Sequence, residues 1–167
     1  MPLLDDATIR ELLRSDYGRL VNAVALVSGS LAAAEDAVQE AIVRAWTSRE
    51  SIENPAAWVA VVAMNLSRSA WRRTFAERKA RERLVDVDVG DSGASDDRVD
   101  VARALAGLPR RQREVAVMRY FLQLSTDETA TALGVGSGTV KNSLAKARTS
   151  LATALRETDD MEVTPDA

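Results

Sequence analysis

Residues 125–148, "STDETATALGVGSGTVKNSLAKAR", constrain the fold more than any other stretch of this chain. Ser125 and Glu128 form an S-x-x-E capping box, in which each satisfies an otherwise orphaned N–H of the other at a helix start. Gly134 supplies the positive φ that ends such a helix, so the spacing predicts a helix over 126–133. Ser137 is placed to cap a second helix over about 138–156. Ala130, Gly134 and Val140 stand four and then six residues apart. A small residue where two helices cross, a glycine at the turn and an apolar residue locking the second helix onto the first describe a helix-turn-helix.

That motif presents Ser137, Gly138, Thr139, Lys141 and Asn142 at the N-terminal end of its second helix, where side chains reach base edges in a major groove. Asn142 suits bidentate pairing with adenine, and Lys141 suits guanine or a phosphate. Lys146 and Arg148, further along, suit phosphates. The same pattern also fits a plain helical hairpin with a solvated polar face.

The net charge of −3 is at odds with a polyanionic ligand until it is divided along the chain. Residues 1–64 carry net −4, 65–84 net +5, 85–98 net −4, 99–156 net +5 and 157–167 net −5. A duplex feels the patch within about a Debye length, roughly 8–10 Å, and not the total. The two basic blocks are therefore compatible with DNA, and the acidic ones imply modest affinity for the free chain.

Apolar residues make up 46% and aromatics 4%, with alanine, leucine, valine and arginine prominent. This favours an all-α protein. The chain has no cysteine and no histidine, which excludes disulfides, Cys/His zinc sites and Ser-His-Asp triads. With no glycine-rich phosphate loop or convergent acidic motif, neither an enzyme nor a cofactor is expected. No apolar run approaches the roughly 20 residues of a membrane span, and "MPLLDDATIR" lacks the pattern of a signal peptide. A cytoplasmic protein is expected.

The remaining helices follow from local signals. Ile9, Leu12, Leu13, Leu20, Val24 and Val27 recur at near-helical spacing over about 6–28, ending at "SGS". Ser30 is a cap for a helix over about 31–47 with the stripe Ala34, Val38, Ala41, Ile42, Ala45 and Trp46. Asn54-Pro55 starts a long helix to about Leu84, with Trp58, Val62 and Leu66 on one side and Trp58 expected in the core. "VDVDVGDSGASDD", residues 85–97, is acidic and rich in Gly, Ser and Asp, and reads as a flexible linker. Beyond it, Val99, Ala102 and Leu105 share a face, and Gly107-Leu-Pro109 ends one helix and starts the next. Residues 109–122 place Val115, Met118 and either Phe121 or Leu122 inside. The tail "ETDDMEVTPDA" reads as disordered.

Four segments then carry a family resemblance. "AEDAVQEAIVRAW" (34–46), "NPAAWVAVVAMNLSRSAWRR" (54–73), "ALAGLPRRQREVAVMRYF" (104–121) and the helix-turn-helix stand in an order and spacing that resembles bacterial sigma factors of the sigma-70 family. Two lobes without a middle domain are similar to the extracytoplasmic-function (ECF) group. The resemblance implies a sigma-2-like domain over 1–84 that binds the clamp helices of core RNA polymerase and the minus-ten element. It implies a sigma-4-like domain over 98–156 that binds the minus-35 element and the polymerase flap, a linker over 85–97 and an acidic tail over 157–167.

It also assigns roles. Asp36, Gln39, Glu40 and Arg44 face away from the Val38/Ile42 stripe and match the polymerase-binding face. Asn65, Arg68, Arg72 and Arg73 fall at intervals of three, four and one and suit a strand backbone at the minus-ten element. Arg78, Lys79, Arg81 and Arg83 extend that track. Arg49 lies in the loop that, in this family, captures a flipped base. Arg110, Arg111 and Arg113, after Pro109, are placed for phosphates beside the minus-35 element. Promoter DNA and core RNA polymerase are the implied partners and an anti-sigma factor a further candidate, with no small-molecule substrate and no membrane insertion.

Two departures stand out. Ser143 replaces an arginine common after the V-K-x run, and Thr129 sits where an apolar residue is more usual. Two rivals remain open on sequence alone. One is a stand-alone helix-turn-helix regulator; the other is an interaction module that has lost DNA binding.

Overall fold

The computed structural model describes residues 4–48, 50–79 and 96–162, with side chains described over 4–48, 50–68 and 99–157. All regular structure among them is helical, and the chain divides into two compact units, Met1–Val89 and Gly90–Ala167.

In the first unit, α1 (Asp6–Glu11) runs through a π-helical turn (Leu12–Asp16) into α2 (Tyr17–Ser28). Asp5 caps α1, accepting from the Thr8 N–H at 2.8 Å. Gly29, at φ 77°, ends α2. Ser30 then caps α3 (Leu31–Thr47), accepting from the Ala33 N–H at 3.2 Å. Asn54 caps α4 (Pro55–Lys79) through the Ala57 N–H at 3.0 Å. Helices α2, α3 and α4 pack on one another. Their buried stripe contains many alanines: Ala23, Ala34, Ala37, Ala41, Ala45, Ala60 and Ala63, with Leu20, Val24, Val38, Val59 and Met64 between them. Small side chains at helix crossings bring the axes close.

Several expected core positions lie elsewhere. Leu13 is 48% exposed and Trp46 56% exposed. Trp46 is one residue past the fully buried Ala45, so its spacing nearly matched the stripe, but more than half of it is uncovered. On α4 the buried positions are Val59, Ala60, Ala63, Met64 and Ser67, while Trp58, Val62 and Leu66 are half-buried. The covered face is rotated from the one that the bulky residues mark. The described part of α4 ends at Lys79, so the expected continuation to Leu84 lies outside the described residues. So does the linker over 85–95; Asp96 and Asp97 already belong to α5.

In the second unit, α5 (Asp96–Ala106) and α6 (Arg110–Ala116) flank the Gly107-Leu-Pro turn. A π-helical turn, Val117–Phe121, extends α6. Leu122 is buried and Phe121 exposed, which settles the expected alternative. Gln123 then takes the left-handed conformation at φ 58°. Helix α7 (Thr126–Leu133) carries the full capping box: Ser125 Oγ accepts from the Glu128 N–H at 3.1 Å, and Glu128 Oε2 from the Ser125 N–H at 2.7 Å. Those bonds, backbone first, hold the Glu128 carboxyl below its ordinary range. Gly134, at φ 65°, ends α7. Helix α8 (Ser137–Glu162) packs on α5, α6 and α7.

Two further expectations are corrected here. Ser137 does not cap α8: the helix begins at that residue, and the Gly136 carbonyl accepts from the Thr139 and Val140 N–H groups at 2.9 and 3.2 Å. The tail is not irregular from residue 157, because α8 continues to Glu162. No glycine or proline interrupts the sequence until Pro165, so propagation from the packed part of the helix carries on.

Candidate nucleic-acid interface

The helix-turn-helix is held by Val115, Ala130, Val140 and Leu144, all buried, with Leu133 and Val135 packed against them. At roughly 100° per residue, Val140, Leu144 and Ala147 mark one face of α8 and bury it. The candidate contacts divide between two other faces. Asn142 and Lys146 lie away from the core, with Thr139 at the edge of the same face, and all three are exposed. Ser137, Lys141 and Arg148 lie on one flank, and two of these three are engaged by neighbouring elements. The Ser137 hydroxyl donates to Asp127 Oδ1 at 2.6 Å. Arg148 donates through Nε to the Tyr120 hydroxyl, its guanidinium 5.7 Å from the ring centroid. Ser143 is half-buried.

The arginines of α6 are internally engaged. Arg110 and Arg111 both donate to the buried Glu114, at 2.8 and 3.2 Å. Arg113 donates to the carbonyls of Ala106 and Leu108 at 2.9 and 3.0 Å, clamping the turn between α5 and α6. Burial and then the charge of Arg110 push the Arg113 guanidinium below the ordinary arginine value, against the pull of Glu114. The structure thus gives Arg113 a scaffold contact, while Arg110 and Arg111 remain half-exposed in the first turn of α6.

In the first unit, Asn65 is exposed and Arg68 half-buried on α4, on the side away from Val59, Ala63 and Ser67. Arg72 and Arg73 belong to the same helix; their side chains, and Arg49 entirely, lie outside the described residues. Arg81 and Arg83 lie outside them as well.

On α3, Asp36, Gln39, Glu40 and Arg44 are all exposed, as expected. Arg44 donates to Glu40 at 2.7 Å, and Gln39 to the Tyr17 hydroxyl of α2 at 3.2 Å. Sequence reading missed Val43. It lies in the middle of this polar face and is 52% exposed, with Trp46 at the edge. Its signal was its position one residue off the Val38/Ile42 stripe. Two large apolar side chains on an exposed charged face are the pattern of a protein contact.

A helix-turn-helix with an exposed polar face opposite its core, on an all-helical chain with a second basic helix, defines a DNA-binding class of protein. Comparison narrows it. Residues 12–76 match sigma-70 region 2, and residues 98–151 match sigma-70 region 4. The chain is 33% identical to ECF RNA polymerase sigma factor SigL of Mycobacterium tuberculosis over 91% of its own length and 92% of that protein. It is 35% identical to the RNA polymerase sigma-E factor of Streptomyces avermitilis over 75% and 73%. The solved sigma factor RpoE of Bartonella quintana, in complex with the anti-sigma factor NepR, superposes with a TM-score of 0.72 at 27% identity, over 88% of this chain and 95% of that one. This chain belongs to the sigma-70 family of RNA polymerase sigma factors, in its ECF group. Both units match the family, which favours this assignment over a stand-alone regulator.

Proposed function

We propose that the chain binds core RNA polymerase and directs it to promoters in the cytoplasm, carrying no catalytic residue of its own. The observation that carries this reading is the presence, on one chain, of both sigma-70 regions, each with an exposed polar face. Thr139, Asn142 and Lys146, with Lys141 and Ser137 on the flank, form the minus-35 surface. Arg148, oriented by Tyr120, supplies a phosphate contact, and Arg110 and Arg111 border the same surface. In the first unit, Asn65, Arg68, Arg72 and Arg73, with Arg49 of the preceding loop, form the minus-ten track. Asp36, Gln39, Glu40 and Arg44 meet the polymerase clamp, with Val43 and Trp46 as apolar anchors at that contact. An anti-sigma factor is a further partner in this reading, as NepR is for RpoE. Among the described residues no helix is long and apolar enough to cross a membrane, in keeping with that location.

Run-off transcription with bacterial core polymerase on fragmented genomic DNA, with and without the chain, tests the proposal. Discrete start sites that depend on the chain and share two upstream elements are expected. Their absence, together with tight operator binding by the chain alone, would replace this reading with a stand-alone regulator.

A further inference from the structure

Ser137 opens the recognition helix, and its hydroxyl proton is committed. The partner, Asp127 Oδ1 at 2.6 Å, belongs to the first turn of α7. A carboxylate accepts and does not donate, so the shared proton comes from the serine. A hydroxyl has one proton and two lone pairs. Once Asp127 takes the proton, Ser137 can only accept from anything in front of it.

The surroundings leave it accessible. Gly136 and Gly138 flank Ser137, and a Cβ built on either would meet nothing within 4 Å. Neither glycine has a positive φ; among the described residues Gly29, Gly134 and Gln123 do. Neither backbone conformation nor packing within the chain therefore calls for glycine at these two positions. A bare helix end on both sides of one serine lets a duplex approach closely.

We infer that the Asp127–Ser137 pair is a specificity device of the minus-35 surface: it makes Ser137 an obligate acceptor, selecting a base that offers an exocyclic amino group in the major groove. Adenine N6 and cytosine N4 are the amino donors there; guanine and thymine present acceptors. A serine with a free proton tolerates either kind of edge, whereas this one repels an acceptor edge. The inference rests on the promoter-recognition reading above.

The test uses the full chain in holoenzyme with core polymerase, transcribing a promoter library randomised across the minus-35 element. With the wild-type chain, one position should favour adenine or cytosine by roughly five-fold, about the worth of one base-edge hydrogen bond. Asp127→Ala should flatten that position alone. Ser137→Ala should flatten it too, and Asp127→Ala should add nothing in the Ser137→Ala background. Thermal melting checks that each variant is folded; both residues lie near the surface, and Ser125 still caps α7. A uniform rise in output at every sequence with Asp127→Ala, the motif unchanged, would report only a lost negative charge and overturn the inference while leaving promoter recognition intact. A wild-type chain that yields no dependent starts would overturn both.

Discussion

Arg148 of α8 donates through Nε to the Tyr120 hydroxyl, its guanidinium 5.7 Å from the ring centroid. The pair joins the recognition helix to the π-helical turn that follows α6. It holds a long cationic side chain in one orientation without removing its charge from solvent.

That arrangement separates charge from orientation. Arg148→Ala should reduce the salt slope of holoenzyme–promoter binding by about 0.9, one phosphate contact. Tyr120→Ala should weaken binding and leave the slope unchanged, because the charge remains while the hydroxyl that orients it is gone. Affinity measured from 50 to 300 mM salt, on the order of one decade of ionic conditions, distinguishes the two.

Thr129 is fully buried in α7, and its Oγ1 has no hydrogen-bond partner. A buried hydroxyl left unsatisfied costs about 1 kcal/mol or more. Thr129→Val keeps the shape and removes the polar atom. It should stabilise the second unit by about 1 kcal/mol, raising its melting temperature by roughly 4–8 °C. Unchanged or lower melting would show that the hydroxyl is satisfied in solution.

Trp46 and Val43 should contribute more to polymerase binding than to folding. Trp46→Ala is expected to weaken binding to core enzyme by about 2 kcal/mol, near thirty-fold, as buried aromatic anchors do. Its effect on melting should be small, since 56% of the residue is already exposed. Fluorescence-detected binding to core enzyme and a melting curve together check this.

The capping box gives a pH signature. Hydrogen bonds from Ser125 hold the folded-state pKa of Glu128 below the ordinary 4.5. Its contribution to stability is therefore present above about pH 4.5 and is lost as the pH falls through the lower folded value. Glu128→Gln should remove that pH dependence, while Ser125→Ala should cost about 1 kcal/mol at neutral pH. Denaturation midpoints between pH 3 and 7, roughly spanning the carboxylate range, report it.

Gly138 lies in the first turn of α8 with open space at its Cβ position. Gly138→Ala should stabilise the helix by about 0.5 kcal/mol. If DNA approaches this turn closely, the same change should lower transcription from minus-35-dependent promoters. A more stable protein with full activity would place the duplex elsewhere.

The helix boundaries were legible because their signals are local. Ser30, Asn54, Ser125 and Gly134 act on groups within four residues of themselves, and each does in the structure what its position predicts. Ser137 is the exception: the helix starts one residue earlier than expected, with the Gly136 carbonyl accepting the first N–H groups, and the Ser137 hydroxyl bonds Asp127 of α7 instead. Gln123 carried no signal for its left-handed conformation, since nothing in its side chain favours a positive φ.

The candidate interfaces were legible in part. The outward positions of Asp36, Gln39, Glu40 and Arg44 followed from the period of α3 alone. Val43 and Trp46 did not, because an apolar residue at helical spacing reads as core whether or not a neighbour covers it. Arg113 read as a phosphate contact from its charge, and the carbonyls of Ala106 and Leu108 that it clamps become visible only when the turn is formed.

By itself, then, the sequence determined an all-helical chain, the punctuation of its helices, the helix-turn-helix and the family, through caps, turns and periods that operate over a few residues. Only the tertiary structure decided which face of α4 is covered, which apolar residues of α3 stay exposed, and how Ser137 and Arg148 are held. Burial and side-chain pairing depend on what a distant segment brings alongside, and no local pattern encodes that.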